Sequence, residues 1–353
     1  MDASASNHSA GLISRRAAIS LAAAAVSGRA DTRTRLGIGF LGLSHSHAEG
    51  KLAVVQANPA WRVLAIAESD PKLQVTIRSK GIALASREEL LKNPEIKAIA
   101  VESSVRDHAR DGLAVLEAGK HLHLEKAPAD TMAGFEKVVT LARQKGLLLQ
   151  VGYMWRYNSA ILQATEAARK GWLGSVYLVR ATIGNQLAAK RRPEWAEFAG
   201  GNMFELGGHV VDPMIRLMGK PKSVQPILRK DGDFADTLKD NTLAVFQWDK
   251  ALGIVHGANL QPNSSRYRAF EIHGTNGTAV VQPIEPPALT IDLEKAAGPY
   301  TKGIQKIPVG HYERYVDDMI ELAAAVRGDA RLRVNYDEDL MVHEALLRAS
   351  GMF

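Results

Sequence analysis

Leu36-Gly37-Ile38-Gly39-Phe40-Leu41-Gly42-Leu43-Ser44-His45-Ser46-His47 reads as a short apolar strand that stops at a glycine and turns into a helix over Ala48 to Ala57. The same alternation continues downstream. Trp61 to Glu68 is a second strand closed by Ser69-Asp70-Pro71, and Ser86-Arg87-Glu88-Glu89 is a capping box opening a short helix. Strands are expected at Lys97 to Glu102, His121 to Glu125 and Leu147 to Val151, with helices from Asp107 to Ala118 and Thr131 to Lys145 between them. Strands alternating with helices at this spacing predict an α/β, doubly wound parallel sheet over residues 34–152.

The loop after the first strand is where such a sheet takes a nucleotide. A literal Gly-x-Gly-x-x-Gly stands at Gly37, Gly39 and Gly42, but its first two glycines fall inside the strand, so the match is a decoy. The working turn is Gly42 to His47, with Gly42, Leu43, Ser44 and His45 as the candidate pyrophosphate-binding residues at a helix N-terminus. A plain α/β turn is the competing reading. Glu68, at the end of the second strand, is placed to bind ribose hydroxyls, and its charge would repel a 2′-phosphate, so NAD is favoured over NADP. His45 and His47 hint at a metal, but a turn with no carboxylate nearby in sequence is a weak basis, and no metal is expected.

Composition narrows the function classes. The 353 residues are 46% hydrophobic and 23% charged, as in a soluble globular protein, and hold no cysteine, which excludes disulfides and thiolate chemistry. The net charge is +6, yet 44 basic residues are interspersed with 38 acidic ones and form no dense basic run, which argues against a nucleic-acid partner. Residues 1–30 read apart from the fold: Ser14-Arg15-Arg16 precedes an alanine-rich apolar run to Val26, too short to span a bilayer. This is the pattern of a twin-arginine export signal, predicting a periplasmic or secreted protein with no membrane segment in its mature form; a disordered tail on a cytoplasmic protein is the alternative.

Past Gly152 the pattern changes, and residues 153–353 are expected to form a substrate-binding and oligomerisation domain. After a helix from Ser159 to Lys170 come β-rich runs at Val176 to Ile183, Ser223 to Leu228, Thr242 to Trp248, Leu252 to Ala258, Ala269 to His273 and Thr278 to Val281. Tight turns between them predict an α+β domain with a largely antiparallel open sheet. Such a sheet offers one face as a subunit contact, so a homo-oligomer, dimer or tetramer, is expected. Terminal helices are expected at His311 to Arg327 and Glu338 to Leu347. Between the first β run and the second lies Gly200-Gly201-Asn202-Met203-Phe204-Glu205-Leu206-Gly207-Gly208-His209-Val210-Val211-Asp212. If it is helical from Met203, Glu205, His209 and Asp212 share one stripe, an acid-imidazole-acid set suited to proton transfer. A core histidine between two unremarkable acids is the bland alternative. Pro213 is expected to kink the helix.

Glu125-Lys126-Ala127-Pro128 carries the strongest resemblance. The chain resembles the Gfo/Idh/MocA oxidoreductase family, whose members have Glu-Lys-Pro after a strand near the nicotinamide; here one residue is inserted before the proline. The likeness extends to Ser103-Ser104 with His108, to Gly152-Tyr153-Met154-Trp155-Arg156-Tyr157-Asn158, to the helix from Glu205 to Asp212, and to Tyr336-Asp337-Glu338-Asp339-Leu340. It implies a catalytic set of Lys126, His209 and Glu205, with Glu where the family typically has Asp. It also implies that Ser103, Ser104, His108, Glu125 and Lys126 join the cofactor contacts.

Chemistry fits these residue types. Removing hydride from an alcohol carbon requires loss of the hydroxyl proton, for which histidine is a suitable base and a lysine ammonium a stabiliser of alkoxide character. Arg156, Tyr157, Asn202 and Asp212 are the substrate candidates for a sugar or polyol, with Asn185, Gln186, Arg191, Arg192 and Trp195 also available; Trp195 and the arginines could equally be a surface loop. His121 and His123 share the strand face of Glu125 and are expected to serve packing or hydrogen bonding within the sheet edge rather than catalysis. The expectation is an NAD-dependent oxidoreductase acting on CH–OH groups of a small sugar or polyol. Two rivals stand beside it: a glycosidase or lyase that oxidises transiently with retained cofactor, and a non-catalytic sugar or dinucleotide sensor.

Overall fold

The computed structural model describes residues 34–353, so the export signal expected over residues 1–30 lies outside the described residues. Strand β1 (Leu36–Leu41) leads into α1 (Ala48–Ala57), followed by β2 (Trp61–Ala67), α2 (Pro71–Ser79), α3 (Arg87–Lys92), β3 (Ile96–Val101), α4 (His108–Glu117), β4 (His121–Leu124), α5 (Met132–Lys145) and β5 (Leu149–Val151). These five strands form a parallel sheet in the order β2-β1-β3-β4-β5. Both faces are covered, which is why the strands are apolar throughout rather than alternating. Along β3, Ala98 and Ala100 join the core with Leu52, Val55 and Trp61, while Ile99 and Val101 join the opposite core with Val115 and Val138. The first two glycines of the literal motif do lie inside β1. A Cβ on Gly37 would meet the Glu95 carbonyl at 2.2 Å, so close packing explains that glycine. β4 is an inner strand, contrary to the sheet-edge placement expected for His121 and His123; β5 is the edge.

The chain continues through α6 (Ser159–Arg169), β6 (Val176–Gly184) and α7 (Arg192–Ala196) to a π-helical turn, Met203–Gly207, and then α8 (Gly208–Met218). Next come β7 (Ser223–Arg229), β8 (Asn241–Gln247), β9 (Leu252–Ala258), β10 (Ala269–Gly274), β11 (Gly277–Val281), β12 (Leu289–Leu293) and β13 (Gly303–Ile307). With β6 they make an eight-stranded sheet, β13-β12-β11-β10-β6-β9-β8-β7. All neighbours are antiparallel except β6 and β9. Alternate residues of β8 and β9 are buried, and helices α6 and α8 pack on the sheet. Full burial of Phe246 and Phe270 in this core stabilises the fold by roughly 2–3 kcal/mol each.

Two helices close the chain, α9 (Val316–Arg327) and α10 (Tyr336–Ala349). Both return to the first sheet: α9 packs on α1, and α10 on α5 as well as α8. Met319, Leu322 and Ala323 complete the core that covers Ile38 and Phe40, and the Trp61 indole N–H donates to the Met319 carbonyl at 2.9 Å. The helix expected from His311 begins only at Val316, after Tyr315, whose φ is +68°. Among the described residues no helix is long and apolar enough to cross a membrane.

Candidate active site

The C-terminal ends of β1, β2 and β3 open onto a cleft of about 470 Å³ lined by Gly42, Ser44, Glu68, Ser69, Ser103, Ser104 and Arg87, among others. Gly42 makes the turn possible: its φ is +79°, and a Cβ there would lie 2.7 Å from Ser103 Cα. The Leu43 amide donates to Glu68 Oε2 at 2.7 Å, and Glu68 Oε1 accepts from the amides of Ser69 and Asp70. Glu68 therefore closes the far side of the loop. The Ser44 amide has no acceptor among the described residues, and Ser44 faces the cleft. Ser103 Oγ is buried without a hydrogen-bond partner, whereas Ser104 Oγ donates to Asp107. His108 is wedged between the carbonyls of Ala127 (2.7 Å) and Ser103 (3.0 Å), and burial lowers its pKa. Of the candidate loop amides, that of Leu43 is taken by Glu68 and that of His45 donates to the Glu102 carbonyl at 3.1 Å, so the Ser44 amide beside the Gly42 turn is the one left open to an anion.

Behind the loop lies a buried chain of charges. Lys51, on the inward face of α1, is completely buried and donates to both Glu102 Oε1 and Glu125 Oε2 at 2.5 Å. Glu125 Oε1 accepts from the Lys126 amide and approaches His47 Nδ1, each at 3.0 Å; His45 Nδ1 is 3.8 Å away. Two carboxylates share one ammonium, so they cannot both ionise cheaply. Burial raises Glu102, with the charge of Glu125 adding to the effect. Burial would raise Glu125 too, but Lys51, His47 and His45 hold it well below the usual carboxylate range. His123 faces Glu102 at 4.0 Å and pairs with Gln150 at 2.8 Å; burial and Lys51 lower its pKa to about 3. The sequence alone suggested no carboxylate near His45 and His47. The fold supplies Glu125, since the turn and the end of β4 meet in space, and the three ligand atoms lie within 4.8 Å of one another. Because Lys51 and Lys126 already occupy Glu125, this is a hydrogen-bonded ion cluster, and no metal is assigned to it.

Lys126 and the π turn lie next to Glu125. Lys126 is buried, not a solvated surface lysine, and its Nζ donates to the Glu205 carbonyl at 3.0 Å and lies 3.5 Å from Glu205 Oε2. The Lys126–Ala127 peptide is cis. Burial raises the pKa of Glu205. His209 is 2% exposed, and neither ring nitrogen has a hydrogen-bond partner among the described residues. Burial, then Lys126 and His47, keep it well below the ordinary histidine value, so it is a neutral base. Its ring lies 5.5 Å from His47, 5.4 Å from Trp155 and 6.5 Å from Tyr153, centroid to centroid.

The single stripe expected for Glu205, His209 and Asp212 is split. A π turn interrupts the 3.6-residue phase just before α8, which then runs through Pro213. Glu205 meets Lys126, while Asp212 accepts from Arg156 Nε at 2.8 Å. Arg156 also reaches Asp339 on α10 at 2.5 Å, so Arg156 and Asp212 neutralise each other in a buried triad that ties α8 to α10. Tyr157 donates to Glu321 at 2.6 Å, and the Asn202 carboxamide packs against Gly257 without a hydrogen-bond partner. Trp195 and Arg192 are buried rather than on a surface loop: Trp195 packs with Leu187 and Leu238, and Arg192 pairs with Asp236 and Asp240.

Sequence reasoning missed Lys51 and Tyr315. Ala48, Leu52 and Val55 mark the inward face of α1, and a lysine one turn after Ala48 on that face was the available signal. Tyr315 sets its ring 5.6 Å from His47 and beneath Lys51, and only its left-handed backbone marks it out.

Residues 36–153 match the family model described as an oxidoreductase family with an NAD-binding Rossmann fold, and residues 161–280 match the GFO/IDH/MocA C-terminal domain. The chain belongs to the Gfo/Idh/MocA oxidoreductase family. Within that family, it is 26% identical over 197 residues to scyllo-inositol 2-dehydrogenase (NADP(+)) IolW of Bacillus subtilis, covering 55% of this chain and 54% of that protein. It is 29% identical over 244 residues to the trans-1,2-dihydrobenzene-1,2-diol dehydrogenase of Oryctolagus cuniculus, covering 67% and 71% of the two chains. The alignments therefore span from about half to somewhat over two thirds of these Gfo/Idh/MocA relatives. A levoglucosan dehydrogenase, solved in complex with NADH and levoglucosan, shares the fold with a TM-score of 0.76 at 20% identity, over 90% of this chain and 98% of that one.

Proposed function

We propose that this oxidoreductase transfers hydride between NAD and a hydroxyl carbon of a sugar, sugar derivative or cyclic polyol. One observation carries the reading: a buried, unpartnered, neutral His209 sets its ring 5.5 Å from His47 at the end of the glycine turn, with Lys126 held against Glu205 nearby. NAD, when bound by Gly42 to His45, Glu68 and Ser103, supplies the hydride acceptor. His209 takes the hydroxyl proton, Lys126 stabilises the developing alkoxide, and Glu205 orients Lys126 through the turn that carries it. The substrate class is supported by relatives whose names specify a cyclic polyol, a cyclic diol and an anhydrosugar. Glu68 at the end of β2 supports NAD over NADP, because its negative charge would repel a 2′-phosphate bound there. The half-exposed residues that alternate with buried ones along β8 and β9 leave one face of the eight-stranded sheet open, which supports a homo-oligomer.

The test is absorbance at 340 nm on protein given NAD⁺ with scyllo-inositol, levoglucosan and a wider sugar panel. Lys126→Ala and His209→Ala are expected to lower kcat by about 10²–10⁴-fold, and His209→Ala to keep NADH affinity within about threefold. Absence of NADH binding to the wild-type protein, or full activity in both variants, would refute the reading.

A further inference from the structure

In the reading above His209 accepts a proton in a dry place. It is almost inaccessible to solvent, with no hydrogen-bond partner at either nitrogen, so a proton taken there needs a second carrier before the next turnover. Three aromatic rings surround it: Trp155, Tyr153 and His47. Trp155 cannot exchange a proton usefully, and burial moves the Tyr153 hydroxyl far above neutral pH. His47 can. Its Nδ1 faces Glu125 Oε1 at 3.0 Å, so Nδ1 carries the hydrogen and Nε2 keeps a free lone pair. The His47 side chain is 12% exposed, against none for Glu125, which puts the imidazole at the border between the dry site and water.

We propose that His47 and Glu125, backed by Lys51, form a carboxylate–imidazole dyad that relays the proton of His209 to solvent. The proposal rests on the oxidoreductase reading. In the oxidative direction the substrate C–H bond gives its electron pair and hydrogen to the nicotinamide, and the O–H proton goes to His209. His209 then passes that proton through one water to His47 Nε2, and the imidazolium formed is balanced by ionised Glu125 until water removes the proton. Reduction runs the same steps backwards. Lys51 keeps Glu125 ionised, and Glu102 on its other side keeps Lys51 in place. The groups facing His47 are His45 from the loop, Lys51 from α1, Glu125 and Lys126 after β4, His209 from α8 and Tyr315 before α9. His47 is thus a positioning and relay residue rather than a group that touches substrate.

Two measurements on the full-length protein test this. The ¹⁵N NMR shifts of His47 are expected to report the Nδ1–H tautomer without any substrate; an Nε2–H tautomer overturns the proposal. With scyllo-inositol or levoglucosan and NAD⁺, His47→Ala is expected to lower kcat by about 10–100-fold with NADH affinity within about threefold of wild type. Added imidazole is expected to recover part of the lost rate, and the pH–rate profile of the variant is expected to follow the imidazole added. A His47→Ala enzyme with wild-type kcat overturns the relay and leaves the oxidoreductase reading standing. Loss of rate with no rescue and with weakened NADH binding also overturns it, because His47 would then serve the cofactor loop alone. A wild-type protein that binds no NADH removes both readings.

Discussion

The cleft and the buried charge cluster behind it, the outer and inner ends of the site, are built by opposite means. At the outer end Glu68, Ser69, Asp70 and Ser104 meet solvent and hydrogen-bond mainly to nearby amides and side chains. At the inner end Lys51, Glu102, Glu125 and His123 are fully buried and hold one another. The outer groups are independent, so recognition there can change one residue at a time. The inner groups form one charge-balanced unit, in which removing one member strands the others away from water.

The sharpest way to break this contrast is Lys51→Met, which leaves Glu102 and Glu125 buried without their ammonium. It is expected to cost about 3–5 kcal/mol of unfolding free energy in a denaturant titration. A loss under about 1 kcal/mol would show that the inner end is no more cooperative than the outer. A second test uses pH. Burial lowers His123 to about 3 and His343, packed against Phe135, to about 4. Above the ordinary value of 6.5 these histidines are neutral whether the chain is folded or not, and their contribution is fully present. Below 6.5 the unfolded chain binds protons that the folded chain refuses, so stability falls as pH drops towards those depressed values. At pH 5 each is expected to cost about 2 kcal/mol, and His343→Gln should flatten the decline if it folds. The smallest effect belongs to the outer end: Glu68→Ala is expected to raise the NADP⁺/NAD⁺ ratio of kcat/KM about tenfold while changing stability by no more than about 1 kcal/mol. An unchanged ratio would remove Glu68 from cofactor choice.

The first half was legible because a parallel sheet leaves its mark locally. Apolar runs, a capping box at Ser86 and a stop at Gly146 sit next to one another in sequence, and the structure has them where expected. β12 and β13 were not read. β13 is an edge strand whose alternate residues are exposed, so its apolar signal is weak, and a proline-rich stretch before β12 resembles a loop. The site divides in the same way. Glu125, Lys126, Glu205 and His209 stood out by motif, and the fold brings Lys126 to Glu205 and His47 to His209. The ion cluster did not stand out. Lys51, Glu102 and Glu125 are far apart in the chain, and a buried lysine looks like a surface one until the helix face is known. The π turn was hidden for another reason: Met203 to Gly207 fits a 3.6-residue period as well as it fits the wider turn it adopts.

The hydrogen bond from Trp61 to Met319 spans 258 positions of the chain. It sets a timetable for biosynthesis. The β1–β2 edge is among the first parts of the described fold to leave the ribosome, yet the helix that roofs Ile38, Phe40 and Trp61 is among the last. At ribosomal speeds the wait is roughly 15–50 seconds. During that time the nascent polypeptide shows a bare apolar face to its surroundings.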